Sequence, residues 1–223
     1  MSSCIYLDIG NSNVKWKYAG EYFETSNSEF NLAKLPKSSK IWVSNVSRSL
    51  VVDDNRNISI VEPQKSYKSL VNSYEKPNLL GSDRWLAMIA SYKMSPNKGF
   101  IVVDIGTAVT IDLVDKSGLH MGGVIFPGLL KIRNTFNHFP VDKKNNSNEI
   151  GQSTKEAWSI GTLSMLVSGI NQKIHDIKVK VPDVNIYITG GGYDEVEKLL
   201  DFPHIYHKNL VLEGLELYAN NMG

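Results

Sequence analysis

One short pattern occurs twice in this chain. Tyr6 to Gly20 reads YLDIGNSNVKWKYAG, and Val102 to Gly118 reads VVDIGTAVTIDLVDKSG. In each, an apolar run ends in Asp-Ile-Gly, small polar residues follow, and an alternating stretch comes next. The two units start at Asp8 and Asp104, 96 positions apart. Val14, Trp16 and Tyr18 alternate with Lys15 and Lys17, and Val109, Ile111 and Leu113 alternate with Thr110, Asp112 and Val114. A period of two is that of a strand with one buried face. Gly10 and Gly106 permit a tight turn between strands. The chain therefore reads as two related halves, each opening with a β-hairpin whose turn faces a shared cleft. Three residues can recur by chance; the matching flanks favour duplication.

The rest of the chain alternates strand and helix. IWVSNV (Ile41 to Val46) and ISIVEP read as strands. GSDRWLAMIASYKM reads as a helix with Ser82 as N-cap and an apolar stripe of Trp85, Met88, Ile89 and Tyr92. HMGGVIFPG predicts a strand closing in a Pro-Gly turn, with a helix at Leu129 to Phe136. VDKKNNSNEIGQ is polar, lacks a period and reads as a loop. Ser153 and Glu156 have capping-box spacing, so a helix should start near Thr154 and run past Ile170. Trp158, Ile160, Leu163, Met165, Leu166 and Val167 wrap most of that helix, which calls for burial on several faces, in a deep core or against a second copy of the chain. NIYITGGGYDEVEKLL gives strand, glycine turn and helix, and LVLEGLELYANN a closing helix. Such mixed order points to layered α/β domains.

Composition removes several function classes. Lys plus Arg is 24 and Asp plus Glu is 23, a balance that offers no electrostatic footprint for coating nucleic acid or membrane. The most apolar stretch, FIVVDIGTAVTIDLV, is broken by Asp104 and Asp112, which suits strands ending at a site and not a membrane span. The N-terminus shows no signal-peptide pattern. The single cysteine, Cys4, excludes an internal disulfide and reads as a buried, inert thiol. No HExxH pair suggests zinc, and neither a Walker A sequence nor GxGxxG is present.

Four clusters could carry chemistry. Asp8, Gly10, Asn11 and Lys15 would let backbone N–H groups and one ammonium approach an anion, or form a plain hairpin. Asp104, Gly106, Thr107, Ala108 and Asp112 place a carboxylate in an apolar run, fit for a cation or for an Asx-turn. Gly190, Gly191 and Gly192 leave room for a flat ligand, or simply make a strand-to-helix turn. Gly81, Asp83 and Arg84 put a carboxylate at a helix start and a guanidinium able to fork onto a substrate carboxylate, or only capping charge.

Together these segments resemble the type III pantothenate kinases of the actin-like ATPase superfamily, which includes acetate and sugar kinases. DIGNSNVK is similar to the first phosphate motif and GSDR to the GxDR motif, with Tyr74 matching a substrate-side tyrosine. DIGTAVTID is similar to the second phosphate motif, GGVIFPG to the segment that follows it, GQST to the motif ending in a substrate-contacting threonine, and TGGG to the adenosine motif. Ser82 stands where alanine is common. The resemblance implies an α/β fold of two actin-like (ribonuclease H-like) lobes related by duplication, each a mixed sheet with flanking helices, around a nucleotide cleft. The expected boundaries are 1–97, 98–206, and a C-terminal helix in 207–223 packing back towards the first lobe. The implied reaction is ATP-dependent phosphorylation of the primary hydroxyl of pantothenate, the first step of coenzyme A biosynthesis.

By the same resemblance, Asp83 is the general base, and Tyr74, Gly81, Ser82, Asp83, Arg84 and Thr154 bind pantothenate, Thr154 from the partner subunit of a homodimer. Asp8, Ile9, Gly10, Asn11, Ser12, Asn13, Val14 and Lys15 hold ATP phosphates and magnesium. Thr107, Gly190 and Gly191 add ATP contacts, and Asp104 binds a monovalent cation, potassium or ammonium. A cytoplasmic enzyme with no nucleic-acid or membrane partner is expected. Two other readings stand beside it: a non-catalytic regulator of transcription, and a kinase for another small hydroxyl acid or sugar.

Overall fold

A computed structural model describes residues 4–46, 56–141 and 150–222. In chain order the strands are β1 (Ile5–Ile9), β2 (Asn13–Tyr18), β3 (Glu21–Ser26), β4 (Ile41–Asn45), β5 (Ile58–Ile60), β6 (Ser66–Tyr67), β7 (Leu70–Val71), β8 (Gly99–Ile105), β9 (Ala108–Val114), β10 (His120–Pro127), β11 (Val184–Thr189) and β12 (Ile205–Tyr206). The helices are α1 (Ser82–Met94), α2 (Leu129–Arg133), α3 (Thr154–Lys180), α4 (Tyr193–Val196) and α5 (Leu210–Met222). The chain divides into two units. One comprises Met1–Asn97, Val114–Gly122 and Asn209–Gly223; the other comprises Lys98–Leu113 and Gly123–Lys208.

The first unit is built on a sheet of order β3-β2-β1-β4-β5. β1 runs antiparallel to β2 and parallel to β4. Ile5, Leu7 and Ile9 alternate into a core with Val14, Leu35, Ile41 and Val43. Each such side chain, fully buried, contributes roughly 1.5–3 kcal/mol. The opposite face, carrying Asp8 and Ser44 in register, is met by α1 and α5: Ser44 touches Ser82, and the Trp42 ring meets Tyr218 edge-on at 6.2 Å. Lys17 of β2 pairs with Glu216 of α5 at 2.7 Å, and the Tyr67 hydroxyl donates to the Leu217 carbonyl at 3.0 Å. The segment Val114–Gly122 is tied to this unit because the Val71 N–H donates to the Gly118 carbonyl at 2.8 Å.

The second unit has a sheet of order β10-β9-β8-β11-β12. Numbered from its own first strand, this repeats the order of the first sheet. β11 lies parallel to β8 and to β12, as β4 does to β1 and β5. Its core joins Ile101, Val103, Ile105, Val109 and Ile111 of the sheet to Leu163, Leu166, Val167, Ile170 and Ile174 of α3. α3 begins at Thr154 with Ser153 as N-cap; the Ser153 hydroxyl accepts from the Glu156 N–H at 3.2 Å. The return bond differs from a standard capping box. Glu156 accepts from the N–H of Gln152 at 2.8 Å, one residue earlier than Ser153.

Several expectations need correction. Gly81, not Ser82, is the N-cap of α1; Ser82 is already helical and buried, because Ser44 offers its hydroxyl a partner across the fold. α1 shows no single apolar stripe, since Arg84 to Ser91 are all buried. β9 is buried on both faces: Thr110 and Asp112, expected to face solvent, are 9% and 1% exposed. Cys4 is only partly buried, with its thiol 3.7 Å from the Ser39 hydroxyl. In the polar stretch expected to form a loop, 142–149 lie outside the described residues.

Candidate active site

Asp8 sits one residue before the end of β1 and stands directly opposite Lys15 in the antiparallel register with β2. The turn between the strands is closed by the Gly10 N–H donating to the Asn13 carbonyl at 3.0 Å, and Asn11, Ser12 and Asn13 are exposed at its tip. Asn27, the residue after β3, braces it: its side chain donates to the Gly10 carbonyl at 2.8 Å, and its N–H to the Ser12 carbonyl at 2.9 Å. Asp8 Oδ1 is buried and accepts no hydrogen bond. Burial first, and then the charge of Asp83, push the Asp8 carboxyl up to about 7; the Ser44 hydroxyl and Lys15 act the other way.

Asp83 and Arg84 occupy the first turn of α1, where the helix dipole favours an anion. The Asp83 carboxylate accepts from the Arg84 N–H at 2.7 Å. It folds back over Gly81, where a Cβ would stand 2.5 Å from Asp83 Oδ1. Arg84 is 7% exposed and donates to the Tyr74 hydroxyl at 3.0 Å. Tyr74 in turn stacks on His120, ring centroids 5.9 Å apart, and His120 Nδ1 lies 3.3 Å from the Ser73 hydroxyl. The structure thus brings Asp8, Tyr74, Gly81, Asp83 and Arg84 into one unit. Ser82, expected on the substrate side, directs its hydroxyl at Ser44, 3.0 Å away.

The second unit carries the other expected residues. Its hairpin turn is one residue shorter than the first and is closed by the Gly106 N–H donating to the Ala108 carbonyl at 3.0 Å. The Gly128 N–H donates to the Thr107 carbonyl at 3.0 Å, so the Pro-Gly turn after β10 backs this one. Asp104 pairs with Thr189 in register, which sets the glycine turn after β11 against it. Gly190 has φ +102°, and a Cβ there would stand 2.3 Å from the Ile105 carbonyl oxygen and 2.5 Å from Asp104 Oδ1. Gly191 is exposed beside it, and Thr154 is exposed at the start of α3. Sequence reasoning missed Asn27, Ser44 and His120. Each acts through partners at least 15 positions away, so no local pattern marks it.

Comparison with known proteins decides the family. The type III pantothenate kinase profile matches residues 4–176. The chain belongs to the type III pantothenate kinase family. A type III pantothenate kinase of Hahella chejuensis is 34% identical over 238 residues, covering 96% of each chain. One of Pseudoalteromonas translucida is 38% identical over 160 residues, 69% of this chain and 66% of that one. Among solved structures, a Campylobacter jejuni protein described as a Baf family transcriptional activator superposes with TM-score 0.67 at 26% identity, over 98% of both chains. An archaeal actin homologue, Ta0583, superposes with TM-score 0.53 at 10% identity and shows the actin-like fold alone. The α/β architecture of two mixed sheets is therefore an actin-like fold, and the type III pantothenate kinases phosphorylate pantothenate for coenzyme A synthesis.

The residues of this kinase fit a magnesium-bound nucleotide. Magnesium at phosphate sites is held by one or two carboxylates plus the substrate's own oxygens. An orphaned oxygen on Asp8, close enough to Asp83 for their charges to interact, is such a donor set. Among the described residues no group of three or more His, Cys, Asp or Glu could hold a metal by itself.

Proposed function

We propose that the chain transfers the γ-phosphoryl group of ATP to the primary hydroxyl of pantothenate, with Asp83 as the general base. The observation that carries this is the first turn of α1. Asp83 has its carboxylate fixed over Gly81, and its neighbour Arg84 is buried and bonded to Tyr74. Arg84 would fork onto the pantothenate carboxylate, with Tyr74 and Gly81 shaping the same pocket. Asp83 takes the hydroxyl proton at a reach of about 3 Å; with a loose transition state the proton can leave late, so the base needs no raised pKa. Ser82 is spared this role because its hydroxyl already meets Ser44.

Asp8 to Lys15 would hold the phosphates, with Asp8 as the magnesium ligand. When bound, magnesium neutralises charge on the transferring group. Turn N–H groups and Lys15 supply the rest of the positive field. Thr107, Gly190 and Gly191 would contact ATP, and Asp104 would take potassium or ammonium. Gly190 approaches that carboxylate closely, and a Cβ there would stand 2.5 Å from Asp104 Oδ1.

A homodimer is part of the same reading. Ile125 of β10, Leu130 of α2 and Met165 of α3 are 62%, 65% and 58% exposed, an apolar display that a second copy would cover. Thr154 would then complete the pantothenate pocket of the partner. Among the described residues no helix is long and apolar enough to cross a membrane, and the formal net charge of +1 offers no electrostatic footprint for a nucleic-acid partner.

The deciding experiment supplies purified protein with ATP, magnesium, pantothenate and either potassium or ammonium. Formation of 4'-phosphopantothenate is expected. No turnover with either cation removes the proposal. The description of the Campylobacter jejuni structure favours a regulator as second reading; specific DNA retention without turnover would favour it here.

A further inference from the structure

Asn27 grips the turn between β1 and β2 at two places. Its side-chain amide donates to the Gly10 carbonyl at 2.8 Å, and its backbone N–H donates to the Ser12 carbonyl at 2.9 Å. A trans peptide is planar, and its C=O and N–H point in opposite directions. The Gly10 carbonyl shares its trans peptide with the Asn11 N–H, and the Ser12 carbonyl shares its own with the Asn13 N–H. Both N–H groups are therefore turned away from Asn27, on residues exposed at the tip of the hairpin. Asn27 is itself held. It lies in a tight turn closed by the Glu29 N–H on the Ser26 carbonyl at 3.1 Å, and the Glu29 carboxylate accepts from the Ser26 hydroxyl at 3.0 Å. Phe30, next in the chain, packs against the core of the first sheet beside Trp16. The hairpin turn of the second unit is gripped in a similar way: the Gly128 N–H holds the Thr107 carbonyl at 3.0 Å, which turns the Ala108 N–H away from the Pro-Gly turn.

We propose that Asn27 is a positioning residue for the phosphoryl donor, aiming the N–H groups of Asn11 and Asn13 at phosphate oxygens of ATP without touching the nucleotide itself. This rests on the reading of Asp8 to Lys15 as the turn that holds the phosphates. An N–H aimed before the ligand arrives gives a charge-assisted bond to phosphate with no reorganisation of the backbone. Once the side-chain amide is removed, the Gly10 peptide is free to rotate and to offer a phosphate its carbonyl lone pairs in place of the N–H. The chemistry of the amide matters, and not its shape alone. Asparagine donates to a carbonyl, whereas the isosteric aspartate only accepts and would set a carboxylate against it.

The test is calorimetric titration with inorganic tripolyphosphate and with a non-hydrolysable ATP analogue, on the full chain and on Asn27→Ala, Asn27→Asp and Lys15→Ala. KM for ATP, KM for pantothenate and Tm are measured on the same samples. Asn27→Ala should weaken both phosphate ligands by about three- to tenfold, the range of one neutral hydrogen bond. It should raise KM for ATP by a similar factor and leave KM for pantothenate unchanged. Asn27→Asp should lose at least as much. A merely structural asparagine would lower Tm and shift both KM values together, or would leave tripolyphosphate binding at the parent level, and either result overturns the proposal. Lys15→Ala separates the two levels. If neither Lys15→Ala nor Asn27→Ala weakens tripolyphosphate, the phosphate reading of the turn fails and the brace with it; if Lys15→Ala weakens it and Asn27→Ala does not, only the brace fails.

Discussion

Replacing Asp8 with asparagine should make the metal-free protein more stable while removing its response to magnesium-ATP. The reason is the orphaned oxygen. Burial and the neighbouring Asp83 raise the Asp8 carboxyl from 3.8 to about 7 in the folded chain. Between those values the folded state holds a proton that the unfolded chain has released, so stability falls as pH rises from about 4 towards 7 and stays low above it. A separation of about 3 pH units, at about 1.36 kcal/mol each, sets a ceiling near 4 kcal/mol. Asp8 as a residue keeps some solvent contact, which trims the expected cost to roughly 2 kcal/mol at pH 8. Asparagine is neutral throughout and nearly the same shape. For a chain of this size, about 2 kcal/mol is roughly 4–8 °C in Tm. Thermal unfolding in EDTA should therefore show Asp8→Asn melting higher than the parent by that amount at pH 8 and by no more than about 1 °C at about pH 3.5, where the carboxyl is largely protonated in the folded and the unfolded chain alike. Magnesium-ATP should then raise the Tm of the parent and not of the variant. A gain of equal size at both pH values, or a loss at pH 8, would show that the buried charge is not what destabilises the site.

Three further substitutions probe the same geometry. Asp83→Asn should lower kcat by about 10²–10⁴, the range of general-base catalysis, with nucleotide affinity preserved; parallel loss of folding and binding would make Asp83 structural. Gly81→Ala has a permissible φ of −61° but would push the Asp83 carboxylate aside, so Tm should hold while kcat falls about tenfold or more; unchanged turnover would show that the carboxylate is not held where it acts. Gly190→Ala forces a Cβ into the Ile105 carbonyl at φ +102° and should cost roughly 2–4 kcal/mol by denaturant unfolding; a neutral result would mean that the turn after β11 is not fixed against Asp104. Sedimentation at micromolar protein should give a dimer, and a monomer would remove Thr154 from a role in trans.

What could be read from the residues alone was whatever is encoded locally. Both Asp-Ile-Gly hairpins follow from a run, a glycine and a period of two, and α3 starts at the residue that Ser153 and Glu156 indicate. Ser82 misled because a serine ahead of an apolar run is a good cap in isolation, whereas here β4 provides a buried hydroxyl that draws it into the helix. The polar positions of β9 misled in the same way: Thr110 and Asp112 follow the solvent-facing pattern, yet both are buried. β3 carries polar residues on both faces and is exposed over its first four positions, so it leaves no hydrophobic signature. Tyr74 and Arg84 stand ten positions apart and were found through a motif, while their support by His120 depends on a chain segment 46 residues beyond Tyr74.

The path of the chain sets the order in which the molecule can be finished. The second unit is a continuous insertion apart from the excursion Val114–Gly122, and all its residues have been synthesised by Lys208. The first unit begins earlier but ends later, because α1 and the sheet bearing Asp8 wait for α5, with its Lys17–Glu216 and Tyr67–Leu217 ties. On the ribosome the later half of the gene product can settle while the earlier half still exposes an uncovered sheet, inverting the usual amino-to-carboxyl sequence of maturation. Chaperone occupancy during translation should therefore concentrate on the leading segment and lapse only once α5 has emerged from the exit tunnel.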